Sequence, residues 1–338
     1  MSRRQADTEA LVGEVRELAL GFSADRETRR QGSSGGVGTE IARFVLDTGL
    51  ADAVIGVGFA DKDPTAAAYR IVRRTDEVAM LAGSKYVYMR WEPLREMVER
   101  HAGERLLVFS QPCWIPSLRR LQQGGARIAY LVSPFCGYNM TEEGTDYLLH
   151  RAGLARGDVL RLAYRDGAYP GGFTAVSKDG RCARFGKECY ELVDLMFLRK
   201  GCSVCRLYMG EGADLALGDA WTRGLPDASV VLARTEAGRD LLSDVREAGR
   251  VRLFELSPDD LVRMHRANLR FKKRGLPAGL RLLHRVLSTR AARRWAPFRA
   301  ACFLSRIRRR FAVGVALPQP LREKIVAAPS NGEPGDRA

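Results

Sequence analysis

The tightest constraint in this sequence is the segment Gly201-Cys-Ser-Val-Cys205, followed closely by Gly212-Ala-Asp-Leu-Ala-Leu-Gly-Asp-Ala-Trp221. Two thiols three positions apart in a turn put both sulfurs on one side of the backbone, at a separation that a metal ion or a cluster can bridge. Such a turn needs further donors, and the apolar run after it reads as a short strand ending at Gly218-Asp219. Cys113 and Cys136 are the donors on offer. Each follows a strand-like run, Arg105–Ser110 and Ala126–Val132 respectively, and each stands beside Pro or Gly. In an open α/β sheet the C-terminal ends of the strands line one crevice, where ligands bind. The expectation is four thiols converging on one redox centre.

The other cysteines, Cys182, Cys189 and Cys302, have no partner spacing and read as small core or surface residues. His101, His150, His265 and His284 have no metal spacing either. The start, Met-Ser-Arg-Arg-Gln, lacks the apolar core of a signal peptide, and no run of about 18 apolar residues is present to span a bilayer. A cytoplasmic protein is expected, with its seven cysteines reduced.

The net charge of +15 is local in origin. Residues 261–311 hold sixteen Lys or Arg and no Asp or Glu, so +15 less 16 leaves −1 for the rest of the chain. The main domain is near neutral and the basic character belongs to the C-terminal part.

The spacing of apolar residues over 8–21 predicts a helix stopped by Gly21. Gln31-Gly-Ser-Ser-Gly-Gly36 then opens a helix over Val37–Leu46, and Ala53–Gly58 reads as a buried strand. A Ser/Gly loop at a helix start offers free N–H groups and the positive end of the macrodipole, which suits a phosphate; a plain Ser/Gly cap is the alternative. Gly83-Ser-Lys-Tyr86 follows a helical turn and reads either as a solvated turn or as a Lys placed over a cofactor ring. Ile115–Leu121 reads as a helix. Val159–Arg165, Phe173–Ser177 and Cys182–Phe185 read as antiparallel strands, the last two joined by an Asp179-Gly180 turn. Ser229–Ala233, a helix to Glu247 and a strand over Val251–Leu256 complete the pattern. The expected fold is α/β, a mixed sheet with flanking helices plus an antiparallel hairpin region and a basic helical tail.

The motifs Gln31-Gly-Ser-Ser-Gly-Gly36, Gly83-Ser-Lys-Tyr86, Gln111-Pro-Cys113, Phe135-Cys136-Gly137, Cys202-x-x-Cys205 and Ala213–Trp221 stand here in a distinctive order. So ordered, they resemble the coenzyme F-420 hydrogenase/dehydrogenase beta-subunit family over about residues 29–275, and Ser229–Gly238 is similar to the family segment that follows the tryptophan. The resemblance implies an iron–sulfur flavoprotein oxidoreductase with FAD and one 4Fe-4S cluster. Electrons would pass between a one-electron carrier protein and a two-electron substrate, coenzyme F-420 or another small molecule. Carried over by motif, Cys113, Cys136, Cys202 and Cys205 would hold the cluster. Ser33, Ser34, Gly35, Gly36, Ser84, Lys85 and Tyr86 would line the flavin, with Lys85 offsetting charge on the reduced ring as the catalytic residue.

Two departures from the family pattern matter. The ferredoxin-type segment of many members is missing, so a separate partner, ferredoxin-like or a hydrogenase/dehydrogenase subunit, is implied. Phe109-Ser110 stands where the family has a glycine before the Pro-Cys pair.

The resulting division is an N-terminal helix and link over 1–28, the oxidoreductase domain over 29–275, a basic helical extension over 276–316 and a disordered tail over 317–338. The basic stretch through 311 suits an acidic electron carrier or an anionic membrane face at the inner membrane. Nucleic acid fits less well, since no recognised module accompanies the charge. A competing reading is a non-catalytic binding module with zinc on the same four thiols.

Overall fold

In the computed structural model, the described residues are 8, 10–167, 169–222, 227–275, 285–286, 289, 298 and 316–327. The strands are β1 (Glu17–Ser23), β2 (Ala53–Ala60), β3 (Asp63–Val72), β4 (Leu106–Phe109), β5 (Ile128–Pro134), β6 (Val159–Asp166), β7 (Gly172–Ser177), β8 (Cys182–Gly186), β9 (Leu215–Asp219), β10 (Ser229–Ala233) and β11 (Val251–Glu255). Eight of them form a mixed sheet in the order β11-β1-β10-β9-β5-β4-β2-β3, and β6-β7-β8 form a separate antiparallel sheet. At the centre, β2, β4, β5 and β9 run parallel. Their C-terminal ends therefore share one edge.

Sequence explains this centre directly. Ala53–Ile55, Leu106–Val108 and Leu131–Val132 are fully buried apolar runs, as expected for strands covered on both faces. One face packs Val54, Leu107 and Val132 against Val37, Ile41 and Val45 of the helix Val37–Asp47 and Leu241 and Val245 of the helix Glu236–Glu247. The other packs Ile55, Leu106 and Val108 against Leu94 and Val98 of the helix Trp91–Arg100 and Ile115 and Leu118 of the helix Ile115–Gln123. A separate cluster joins the small sheet to the helices Glu142–Arg151 and Lys187–Met196 through Leu148, Tyr164, Phe173 and Val193. The expected α/β architecture and the Asp179-Gly180 turn hold, with Gly180 at φ 86°.

Two expectations fail. Residues 17–23 are not helical: Leu18 and Leu20 sit opposite Leu232 and Val230 in an antiparallel ladder, and the other edge of β1 pairs with β11. The apolar positions of Leu-Ala-Leu-Gly-Phe satisfy either period, and pairing on both edges decides for the strand. The second concerns part of the expected disordered tail, residues 319–327. Gln319–Ala327 is helical and buries Ile325, with Leu317, in the cluster formed around Leu20, Leu256 and Leu261.

The start of the basic region is a helix of the fold itself. Ser257 caps Pro258–Arg274 by accepting from Asp260 N, and Leu261, Met264 and Leu269 are buried. Most of the proposed 276–316 extension, including Cys302 and Trp295, lies outside the described residues. Among the described residues, no helix is long and apolar enough to cross a membrane.

Candidate functional site

A cavity of about 320 Å³ opens at the C-terminal edge of the parallel strands. Its walls are Phe109–Gln111 at the end of β4, Pro134–Asn139 at the end of β5 and Leu217 of β9, together with Ser33, Ser34 and Gly36 of one loop and Ser84, Lys85 and Tyr86 of the other. The two loops touch directly, since Ser84 N donates to Ser33 Oγ at 2.6 Å. Gly36, at φ 73°, starts the helix Val37–Asp47 with no side-chain cap, and Val37, Gly38 and Thr39 face the cavity. Uncapped N–H groups at such a helix start fit a phosphate.

Gly35 is the exception among the expected lining residues. A Cβ there would lie 2.4 Å from Gly21 O and 2.9 Å from Ser229 N, and its own N–H is taken by Ser229 Oγ. Gly35 lets the loop press onto β1 and β10 rather than facing the cavity. Ser34 is held the same way, its hydroxyl 2.8 Å from that of Ser229.

Lys85 lines the cavity, and its Nζ donates to the carbonyls of Leu81 at 3.1 Å and Ala82 at 2.7 Å. Burial lowers its pKa to about 8. The ammonium thus closes the end of the 3-10 turn Thr75–Leu81 on the cavity side.

The four cysteines come from three parts of the chain. Cys113 sits in the 3-10 turn Pro112–Trp114 after β4, Cys136 follows β5, and the C-x-x-C pair spans the one-turn helix Lys200–Val204 with Cys205 at its end. Backbone pairing draws the last arm in: Met140 bridges Leu198, Arg199 N donates to Asn139 O, and Cys136 N donates to Tyr208 O at 2.9 Å. Burial pushes the Cys113 thiol up to about 12, and the charges of Cys205 and Cys202 add to that. Burial likewise takes Cys136 to about 12, where Lys272 opposes it and Cys202, Cys113 and Cys205 reinforce it. The four thiols are therefore electrostatic neighbours, and Cys136 also lines the cavity. Among the described residues, no three His, Cys, Asp or Glu side chains are close enough to hold a single metal ion. The donor set is all sulfur, which is the chemistry of an iron–sulfur cluster or of zinc. Cys189 is buried in the cluster under the small sheet and Cys182 is exposed, as their lack of partner spacing suggested.

Sequence reading missed three side chains. Arg165, on β6, has its side chain only 2% exposed; its Nη1 lies 2.9 Å from Asp219 Oδ2 and 3.2 Å from Tyr86 Oη, and its Nη2 donates to Ser33 O. One guanidinium thus ties both loops to the end of β9. Nothing in the local pattern of β6 marks it.

His265 and Lys187 are the others. A second cavity of about 300 Å³ adjoins the first, sharing Ser33, Ser34, Tyr86, Phe135 and Tyr138, and adds Lys187, Asp194, Tyr208, Asp219, Trp221, His265 and Asn268. His265 is 2% exposed, and its Nδ1 is 2.7 Å from Tyr208 Oη. Burial lowers its pKa to about 4 against the charge of Asp219 and a hydrogen bond to the Asp219 backbone, so the ring is neutral near pH 7. The Lys187 ammonium stands 3.9 Å over the Trp221 ring.

Comparison with known proteins matches this architecture. The chain fits the family models for the coenzyme F420 hydrogenase/dehydrogenase beta subunit, the N-terminal part at residues 18–94 and the C-terminal part at 103–259. It is 26% identical over 270 residues to the coenzyme F420 hydrogenase subunit beta of Methanothermobacter thermautotrophicus, spanning 75% of this chain and 88% of that one. Identity to the subunit of the same name in Methanococcus voltae is 28% over 238 residues, covering 67% of this chain and 80% of that one. The coenzyme F420-dependent sulfite reductase of Methanocaldococcus jannaschii is 26% identical over 245 residues, 67% of this chain but 37% of that protein. In fold, the chain is similar to a chain of the F420-reducing [NiFe] hydrogenase complex of Methanosarcina barkeri, with TM-score 0.62 and 19% identity over 78% of this chain and 92% of that one. On these matches, the chain belongs to the coenzyme F420 hydrogenase/dehydrogenase beta-subunit family, a family of oxidoreductase subunits.

Proposed function

We propose that this chain is an iron–sulfur flavoprotein subunit that passes electrons between a one-electron carrier protein and a two-electron organic substrate, coenzyme F-420 or another small molecule. The supporting observation is that Cys136 belongs both to the neighbourhood of four thiols and to the wall of the cavity formed by the two loops. A cluster on Cys113, Cys136, Cys202 and Cys205 would thereby adjoin FAD in the larger cavity.

When bound, the cluster and the flavin supply one-electron carriage and its conversion to two-electron transfer. The protein binds and orients. The uncapped start of the helix Val37–Asp47 takes negative charge, and Ser33 and Ser84 hold the two loops together. Arg165 fixes those loops against Asp219. Lys85 keeps a positive charge at the cavity wall up to about pH 8, where it would favour an anionic ring. A separate acidic carrier protein would meet the side where Arg199, Lys200 and Arg206 surround the C-x-x-C arm, near Val204, which is 78% exposed.

A cluster beside a flavin uses both the four thiols and the two loops, whereas zinc on the same four thiols would use only the first. Purification without oxygen tests the reading: iron, sulfide and FAD should copurify, with a cluster EPR signal on reduction. A colourless protein after reconstitution with iron, sulfide and FAD, or stoichiometric zinc in their place, overturns it.

A further inference from the structure

We infer that Lys272, buried on the helix that packs against the Cys136 segment, supplies a fixed positive charge that raises the reduction potential of the cluster held by the four thiols. This rests on the iron–sulfur reading above and adds to it the residue that sets how readily an electron enters.

The run of basic residues that begins near 261 keeps most of its described charge in water. On the helix Pro258–Arg274, Arg263, Arg266 and Arg270 are exposed, whereas Lys272 is 2% exposed. Helical spacing explains the difference. Position 272 continues the face formed by Leu261, His265 and Leu269, all of them buried. The C-terminal part of this helix lies on the segment after β5. Asn268 Oδ1 is 3.7 Å from where a Cβ on Gly137 would stand, and the rings of Phe271 and Tyr138 meet edge to face at 5.7 Å. Lys273 reaches the other arm of the site, its Nζ 3.2 Å from Glu211 Oε1 and 3.4 Å from Arg206 O. The helix end thus spans the two segments that carry Cys136 and Cys205.

A buried ammonium needs an anion. Among the described residues Lys273 is paired with Glu211, whereas Lys272 has no carboxylate partner and its Nζ stands 5.5 Å from the centre of the Phe271 ring. Leaving such a charge without a counter-ion is costly. Cys136 is an acidic group on which its charge acts. A cluster on four thiolates is negative in both of its redox states. One electron taken from the carrier oxidises that protein by one and makes the cluster more negative by one. The attraction to Lys272 therefore grows on reduction, and the reduced form is favoured. Burial limits screening of this interaction by water and salt. Arg199 acts on Cys113, but it is half-buried and lies 3.6 Å over the Tyr88 ring, so its charge is screened more.

The test is a redox titration of the full-length protein, purified without oxygen and read by the cluster EPR signal, with iron, sulfide and FAD measured in every sample. Lys272→Met should lower the potential. Poised at the wild-type midpoint, its ratio of reduced to oxidised cluster should fall about tenfold or more, which is about 59 mV for one electron. Lys272→Arg should recover most of that shift. Lys273→Met removes the same formal charge one residue along, from a pair with Glu211, and should leave the ratio within about twofold of wild type. The difference between wild type and Lys272→Met should persist at about 0.5 M salt, where exposed charges are screened. An unchanged potential in Lys272→Met with full iron content overturns the inference, as does an equal shift in Lys273→Met or a shift abolished by salt. Should Lys272→Met lose its iron, Lys272→Gln takes its place; loss of iron from both makes Lys272 a residue that assembles the site and overturns the inference as well. In each of these outcomes the iron–sulfur reading stands, because the wild type carries the cluster. A wild type without iron strikes that reading instead.

Discussion

Arg165 Nη1 lies 2.9 Å from Asp219 Oδ2, joining the small antiparallel sheet to the end of a central strand of the large one. Removing one member of a buried ion pair costs about 3–5 kcal/mol because the other is left unpaired. Arg165 is the deeper of the two, and it also holds Ser33 O and Tyr86 Oη. Arg165→Met is expected to lose about that much stability in chemical denaturation and to bind FAD more than tenfold more weakly. Arg165→Met/Asp219→Asn should recover part of the stability but not the FAD binding, because the loop contacts of Arg165 stay broken. FAD binding restored to wild type in the double variant would show that the pair alone matters.

The cysteines separate by place. Cys202→Ser and Cys136→Ser should each abolish the cluster, seen as loss of iron, of visible absorbance and of the EPR signal after anaerobic purification. Cys182→Ser, at an exposed strand position, should retain all three. Cys302, in the part of the chain outside the described residues, should be equally dispensable. Iron retained in full by Cys202→Ser would remove that residue from the ligand set.

Glycine 218 tests the wall common to both cavities. A Cβ there would fall 2.2 Å from Phe135 Cδ2, so Gly218→Ala must displace the ring. Overpacking of this kind costs about 1–3 kcal/mol, and here it should also lower affinity for flavin. Gly238→Ala is the control. Its Cβ would meet Asp214 O at 2.2 Å, just before β9 and at the end of the strand opposite the cavities, so stability should fall with flavin affinity unchanged. Thermal melts and FAD titrations of both variants separate the two effects.

Lys85 gives the protein a pH dependence of known sign. Burial lowers its folded pKa to about 8 from the ordinary lysine value of 10.5. Between those values the unfolded chain holds a proton that the folded chain has released, so stability rises with pH. Below pH 8 both states are protonated, and the full penalty for burying the charge is present. In flavin-free protein, the stability of wild type relative to Lys85→Met should therefore climb between about pH 8 and 10.5, by at most about 3.5 kcal/mol at ~1.4 kcal/mol per unit. Urea denaturation at pH 7 and at pH 10 checks it; a difference independent of pH would show that Lys85 is not desolvated.

Much of the site was legible because its chemistry is carried by residue types with few other uses. Cys113 and Cys136 stand after strands, and the Ser/Gly loops punctuate the chain at 31–36 and 83–86. The unread residues are those whose role depends on distant partners. Arg165 occupies an ordinary strand position, and only folding sets it against Ser33, Tyr86 and Asp219. His265 lies in a run rich in arginine, where its neighbours suggest a solvated surface. Its burial comes from the helix Pro258–Arg274 docking over Phe135 and Tyr208. Asp214, inside the same motif as Asp219, turns out to be structural: it accepts from Leu131 N, Arg119 and Thr235, fastening β5, β9 and the turn after β10. Residues 17–23 were misread because a helix and a strand share their apolar spacing over so short a run.

The placement of β1 between β10 and β11 sets an order on synthesis. An emerging chain presents Glu17–Ser23 early, yet its ladder partners begin at Ser229 and Val251. Until those leave the ribosome, the strand has two bare edges, and Gly35 has neither Gly21 in its final place nor Ser229 to receive its loop. Closing so long a span is slow relative to local pairing. The Ser/Gly loop at 32–36, translated well before β10 and β11, is thus among the last parts of the sheet to be seated, and the cavity it walls is complete only once the far end of the domain has arrived.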